Sequence, residues 1–155
     1  MPVCDVTLVL PHPFTDHPSF PEALLTRNLE AAGFSVSCME APNWQEGSDF
    51  EKVDPPRLFF AVVTGPVDSV VLNHTAAGKW RHEDLYQRGG AVYFPDSPAS
   101  VSSRIRPDRA ALVMAQRLRS AHRGVPVVLG GMEGDMRRFT HWDYVQKKLR
   151  RSLLL

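Results

Sequence analysis

The side chains best placed for chemistry follow apolar runs that read as strands. Residues 126–155, PVVLGGMEGDMRRFTHWDYVQKKLRRSLLL, begin as a buried strand, turn at Gly130-Gly131, and open a segment dense in Arg, His, Asp and Tyr. Within it Glu133, Arg137, Arg138, His141 and Asp143 look like a site cluster. The two arginines could hold a carboxylate or a phosphate, and the glycine pair could let backbone approach a phosphate or cofactor. A second run, residues 58–64, ends at Thr64 and is followed by Asp68. A third, residues 3–10, is followed by Asp16, His17 and Ser19. In open α/β sheets such strand-end loops meet at one edge, where ligands bind. The candidate pocket is therefore Asp16, His17, Ser19, Thr64, Asp68, Gly130, Gly131, Glu133, Arg137, Arg138 and His141. No catalytic residue and no metal ligand is assigned.

Each of these features also has a purely structural reading. Gly130-Gly131 could be a tight turn. The charged cluster could pair with a neighbouring element. Asp16-His17 could fix a proline-rich loop through local hydrogen bonds, and Asp68-Ser69 could cap the next helix. Other chemistries find no support. There is no GxGxxG and no GK[ST] phosphate loop, no GxSxG nucleophile elbow and no HExxH. The six histidines (12, 17, 74, 82, 122, 141) do not fall at helical metal-site spacings. The two cysteines, Cys4 and Cys38, sit in apolar runs and read as buried free thiols.

The elements that would position the cluster alternate. Residues 3–10 (VCDVTLVL) read as a buried strand, and the prolines of 11–18 break regular structure. Ser19 and Glu22 have capping-box spacing; Leu25 and Leu29 share a helix face that Gly33 ends. Residues 35–39 make a second short strand. Residues 41–57 read as a loop anchored by Trp44 and Phe50, and residues 58–64 as a strand covered on both faces. A helix is expected over 67–77, an extended loop over 79–106, a helix over 107–122 ended by Gly124, and a fourth strand over 125–129. Trp142, Val145, Leu149 and Leu153 recur at helical spacing, so a basic amphipathic helix is expected from about Asp135. Four strand-then-helix units suggest an α/β fold: a doubly wound, mostly parallel sheet in three layers, with 2-1-3-4 as the expected order, in which right-handed crossovers place helices on both faces.

The bulk properties fit one globular domain, with 43% hydrophobic and 23% charged residues. A net charge of +1 gives no field to gather nucleic acid or membrane, which argues against nucleic acid as a partner. No signal peptide or membrane span is visible, so a cytoplasmic location is expected. The ending on three leucines, without a polar cap, suggests a piece of a larger protein whose sheet lacks its last strand.

Ordered motifs carry a family resemblance. They are DHPSF (16–20), LEAAGFSV (29–36), LFFAVVTGPVDSVVLNHTA (58–76), RPDRA (106–110), PVVLGGMEGDMRRFTHWDY (126–144) and RRSLL (150–154). Over nearly its whole length the chain resembles the N-terminal region of YgiQ-like radical S-adenosylmethionine (radical SAM) proteins. Glu133-Gly134-Asp135 stands where that family usually has Glu-Ala-Ser, and Pro66 where it tends to have Asn. The resemblance implies a flavodoxin-like or cobalamin-binding-like domain. It also implies, further along the full-length protein, a barrel whose CxxxCxxC motif binds a 4Fe-4S cluster that cleaves S-adenosylmethionine. That motif is absent from these 155 residues, as is the cobalamin-ligating DxHxxG, so no cofactor is expected in this chain. The function implied is a non-catalytic accessory domain of a radical SAM protein of unknown substrate, with the barrel as its partner. The alternatives are a stand-alone module for a small nucleotide or phosphate ligand, and a basic-tailed RNA-binding domain.

Overall fold

A computed structural model of the protein describes residues 3–95, 97, 99 and 103–150. Four strands form one all-parallel sheet: β1 (Val6–Leu10), β2 (Val36–Glu40), β3 (Phe59–Val63) and β4 (Val127–Gly130), in the order β2-β1-β3-β4. Val6 of β1 lies opposite Val36 of β2 and Phe59 of β3, and Phe60 lies opposite Val127 of β4. Every residue of β1 is buried because it is central, covered on both faces and paired on both edges.

Helices cover the sheet on both sides. On one face α4 (Ala110–Ala121) brings Met114, Ala115 and Leu118 onto Val9, Phe60 and Val62. Phe50, from the short α2 (Ser48–Lys52), joins that core. On the other face Leu29 of α1 (Pro21–Ala31) packs against Val6, Leu8, Leu10 and Val63. The result is a three-layer doubly wound fold of flavodoxin-like type. Two shorter helices, α3 (Ser69–Asn73) and α5 (Gly131–Arg137), leave the ends of β3 and β4.

Several expectations need correction. The segment 41–57 is not wholly loop. It contains α2, whose five residues bury a single apolar side chain, Phe50, and so show no period. Ser19 and Glu22 form no capping box: α1 starts at Pro21 with Phe20 at its N-cap and no side-chain cap. Glu22 turns inward instead, accepting the Thr15 N–H at 3.2 Å and facing His12 at 3.7 Å. Cys38 is exposed rather than buried, because β2 is an edge strand.

The largest correction concerns the end of the chain. Among the described residues there is no long amphipathic helix after Asp135. Helix α5 stops at Arg137, and β5 (His141–Asp143) pairs antiparallel with β6 (Lys148–Arg150) as a hairpin. Trp142 and Leu149 are seven residues apart, which suits both two helical turns and cross-strand partners; they are partners here, and both are exposed. Asp143 sets the turn by accepting the backbone N–H groups of Val145 and Gln146 through Oδ1. Leu153 lies outside the described residues.

Candidate functional site

Asp68 and Glu133 meet behind the ends of β3 and β4. Asp68 is the N-cap of α3: its Oδ1 accepts the Val70 N–H at 2.8 Å. Its Oδ2 accepts from the buried Arg137 guanidinium, so Arg137 ties α5 to α3. Glu133 is 0% exposed. Its Oε2 accepts the Ser69 N–H at 3.0 Å, its Oε1 accepts the Ala111 N–H at 3.3 Å, and Arg137 Nε lies 3.9 Å away. Ser69 Oγ in turn accepts the Ala110 N–H at 3.0 Å. The free N–H groups at the starts of α3 and α4 are thus satisfied by two carboxylates, Asp68 and Glu133, and one hydroxyl, Ser69. Burial first, and then the charge of Asp68, push the Glu133 carboxyl up to about 7.

Gly130-Gly131 makes this junction by steric necessity. Gly131 has φ of 83°, and a Cβ there would lie 2.4 Å from the Thr64 carbonyl oxygen. The space that the glycine opens is filled by the protein's own backbone, so the pair serves as a tight turn bringing α5 onto β3.

A second buried group covers the ends of β1 and β3. His12, held between Pro11 and Pro13, donates through Nδ1 to the Pro13 carbonyl at 3.0 Å and packs edge-on against Phe20. Burial lowers its pKa. Its ring also lies where a Cβ on Gly65 would fall, 3.1 Å from Nε2. Arg106 is 2% exposed and pairs with Asp84 at 2.5 Å; burial lowers its pKa against the opposing pull of Asp84. Gln87 donates to the Pro11 carbonyl at 3.1 Å. The described parts of this segment, residues 79–95 and 103–106, therefore lie as a strap over the strand ends. The strap is stitched at its base by Asn73 Nδ2, which donates to the Arg106 carbonyl and to Asp108, and by His74 on Asp108 at 3.0 Å.

The structure brings Thr64, Asp68, Gly130, Gly131, Glu133 and Arg137 together. Thr64 Oγ1 donates to the Gly130 carbonyl at 3.3 Å. His141 stands at the rim of the same region, its Nδ1 donating to the Phe139 carbonyl at 3.0 Å. Arg138 is exposed and pairs with Asp135 at 3.6 Å. Among the described residues, Asp16, His17 and Ser19 make no hydrogen bond or ion pair with this cluster. Asp16 pairs with Arg27 in solvent, and His17 accepts the Ser19 N–H at 3.1 Å. The loop after β1 thus contributes His12 and not the Asp16-His17 pair, because the flanking prolines turn His12 inward and leave the later residues outside. Arg106 and Asp84 were not anticipated. Nothing in sequence separates a buried arginine from a surface one, although Arg106 opens the RPDRA motif.

Chemically, Glu133 is a latch more than a base: it has no exposed surface and both oxygens hold backbone donors. The outer faces of Asp68 and Arg137, with Arg109, His141, Trp142 and Tyr144, line an open cavity of about 70 Å³. Among the described residues, no group of three or more His, Cys, Asp or Glu is arranged to hold a metal ion. No helix among them is long and apolar enough to cross a membrane.

Three bacterial relatives, each named UPF0313 protein, are 43% identical to the chain and match 98% of it. They come from Pseudomonas putida, Pseudomonas aeruginosa and Vibrio cholerae. The chain spans only 18–19% of their length. No solved structure matches it. A family model described as Radical SAM N-terminal matches residues 1–155, and the chain belongs to that family.

Proposed function

We propose that this chain is the N-terminal accessory domain of a radical SAM iron–sulfur protein, without catalysis of its own, seated on the cluster-bearing barrel and helping to shape substrate access. Coverage carries this reading: the family match runs the whole chain, while the same stretch is under a fifth of the relatives' length. The 4Fe-4S cluster and S-adenosylmethionine belong with the barrel in this reading. Such a cluster needs three thiolates close together, and the chain has two cysteines, both free. Free thiols suit a reducing compartment, so a cytoplasmic location is part of the proposal.

The surface that would meet the barrel is apolar. Met132 and Met136 sit one turn apart on α5, Phe139 follows, and Trp142 faces Leu149 across the hairpin; all five are exposed. Contiguous exposed apolar surface marks interaction sites. Among the described residues β4 pairs with β3 alone, which leaves its outer edge open beside this surface.

The test is reconstitution of a complex. The 155-residue chain, mixed with the remaining four-fifths of the Pseudomonas putida relative, should form a one-to-one complex in size-exclusion chromatography with light scattering. The paired changes Trp142→Ser and Leu149→Ser should weaken that complex roughly tenfold or more, as loss of two exposed apolar anchors would. Stoichiometric iron and sulfide on the isolated chain after anaerobic reconstitution, with cleavage of S-adenosylmethionine, would overturn the reading. So would the absence of any complex.

A further inference from the structure

We infer that the cavity beside the Asp68–Arg137 pair is a binding site for a small organic monoanion, a carboxylate carried on a flat apolar body. The cavity measures about 70 Å³. About 10–15 Å³ on this scale already holds one water, so the cavity has room for a carboxylate group with its body left at the mouth. Its lining divides accordingly. Arg109 and His141 supply polar groups, while Val70, Met136, Trp142 and Tyr144 supply apolar surface.

Charge compensation identifies which lining groups are free to bind. Arg137 is committed to Asp68 and faces Glu133. Asp143 accepts two backbone N–H groups and faces Arg150 at 3.5 Å. Both carboxylates in the lining are thus answered from within the protein. Arg109 is not: among the described residues its guanidinium makes no hydrogen bond or ion pair, although it lies within coulombic range of Asp143. His141 uses Nδ1 on the Phe139 carbonyl, and its Nε2 has no partner among the described residues. An arginine without a hydrogen-bonded partner suits a single negative charge, and a guanidinium fork matches the two oxygens of a carboxylate. A phosphate dianion would bring a second charge close to Asp68 and Asp143. The Trp142 indole is 59% exposed at the mouth, and Tyr144 is fixed beside it by its hydroxyl, which donates to the Val70 carbonyl at 3.1 Å. Together they offer flat apolar surface to a ring attached to the carboxylate.

The site shares Met136 and Trp142 with the surface proposed to meet the barrel, so it is tested on the 155-residue chain alone and complex formation is read separately. The probes are benzoate, acetate and inorganic phosphate, titrated at constant ionic strength into 15N-labelled protein. Benzoate should give saturable shifts at the Trp142 indole N–H and the Arg109 and Val71 amides, with half-saturation at about 1–10 mM, the range of a few productive contacts. Acetate and phosphate should bind roughly fivefold more weakly or worse, since neither uses the aromatic surface. Arg109 has φ of 57° and ψ of 51°, a backbone that glycine adopts freely, so Arg109→Gly removes the cation without straining the fold. That variant should weaken benzoate roughly tenfold with its thermal midpoint retained, as loss of a charged hydrogen-bonding partner does. Arg109→Lys should keep part of the affinity. Shifts that stay linear to 50 mM benzoate would overturn the inference. So would acetate or phosphate binding as well as benzoate, or Arg109→Gly binding benzoate like the unaltered chain.

Discussion

Replacing Glu133 with glutamine removes one titration from the interior and leaves every other titrating group in place. The Glu133 carboxyl is raised to about 7 in the folded chain from an ordinary value of 4.5. Between those values the folded state holds a proton that the unfolded state has lost. Stability from this group is therefore fully present below about pH 4.5 and is lost as pH rises through about 7. At about 1.4 kcal/mol per pH unit, the loss between pH 5 and pH 8 is about 2–3 kcal/mol. The glutamine variant has no such slope. It keeps an acceptor for one of the two N–H groups of Ser69 and Ala111 and leaves the other poorly paired, a cost of about 1–3 kcal/mol. At pH 5 the variant should be clearly less stable than the parent, and by pH 8 the gap should close or reverse. Urea unfolding at half-unit pH steps measures this. His12, whose pKa burial lowers, contributes the opposite slope, but it does so in both proteins and cancels in the difference. A difference that is flat with pH, or that widens as pH rises, would refute the argument that Glu133 is held at the edge of protonation.

Two further substitutions probe the same junction. Gly131→Ala should destabilise by about 3–5 kcal/mol, because the added methyl meets the Thr64 carbonyl at 2.4 Å in a left-handed backbone. Gly33→Ala, at φ of 89° with nothing within 4 Å, should cost only about 1–2 kcal/mol in the same chemical denaturation series. Arg137→Met should cost about 3–5 kcal/mol at pH 7.5, since it leaves Asp68 and Glu133 buried without their cation. A loss below about 1 kcal/mol would mean that the pair is open to solvent.

The sheet could be read from the residues because its strands are short apolar runs separated by crossovers long enough for one hand only. Residues 58–64 are the clearest case: a continuous apolar run is the signature of a strand covered on both faces, which is how β3 lies in the parallel sheet. In the order β2-β1-β3-β4, right-handed crossovers place helices on both faces of the sheet. The chain's end misleads for an equally physical reason. Seven residues separate Trp142 from Leu149 in a helix and in this hairpin alike, and the turn between them rests on Asp143 and a left-handed Lys147 with no Gly or Pro to mark it. In the candidate site, Asp68, Glu133 and Arg137 stand out by type and position. His12 and Arg106 do not, since their burial depends on a strap whose path no local pattern encodes.

The placement of β4 has a consequence for synthesis on the ribosome. Its partner β3 ends at Val63, and β4 begins only at Val127, roughly sixty residues later. At about 5–20 residues per second, the outer edge of β3 stays unpaired for roughly 3–12 s after it emerges. Throughout that interval Phe60 and Val62, fully buried in the finished fold, lack α4 as well, because Ala110–Ala121 emerges just ahead of β4. The nascent chain therefore passes through a half-sheet with one bare edge and one bare face. It is in that window, more than in the finished domain, that a holding chaperone would find its binding site.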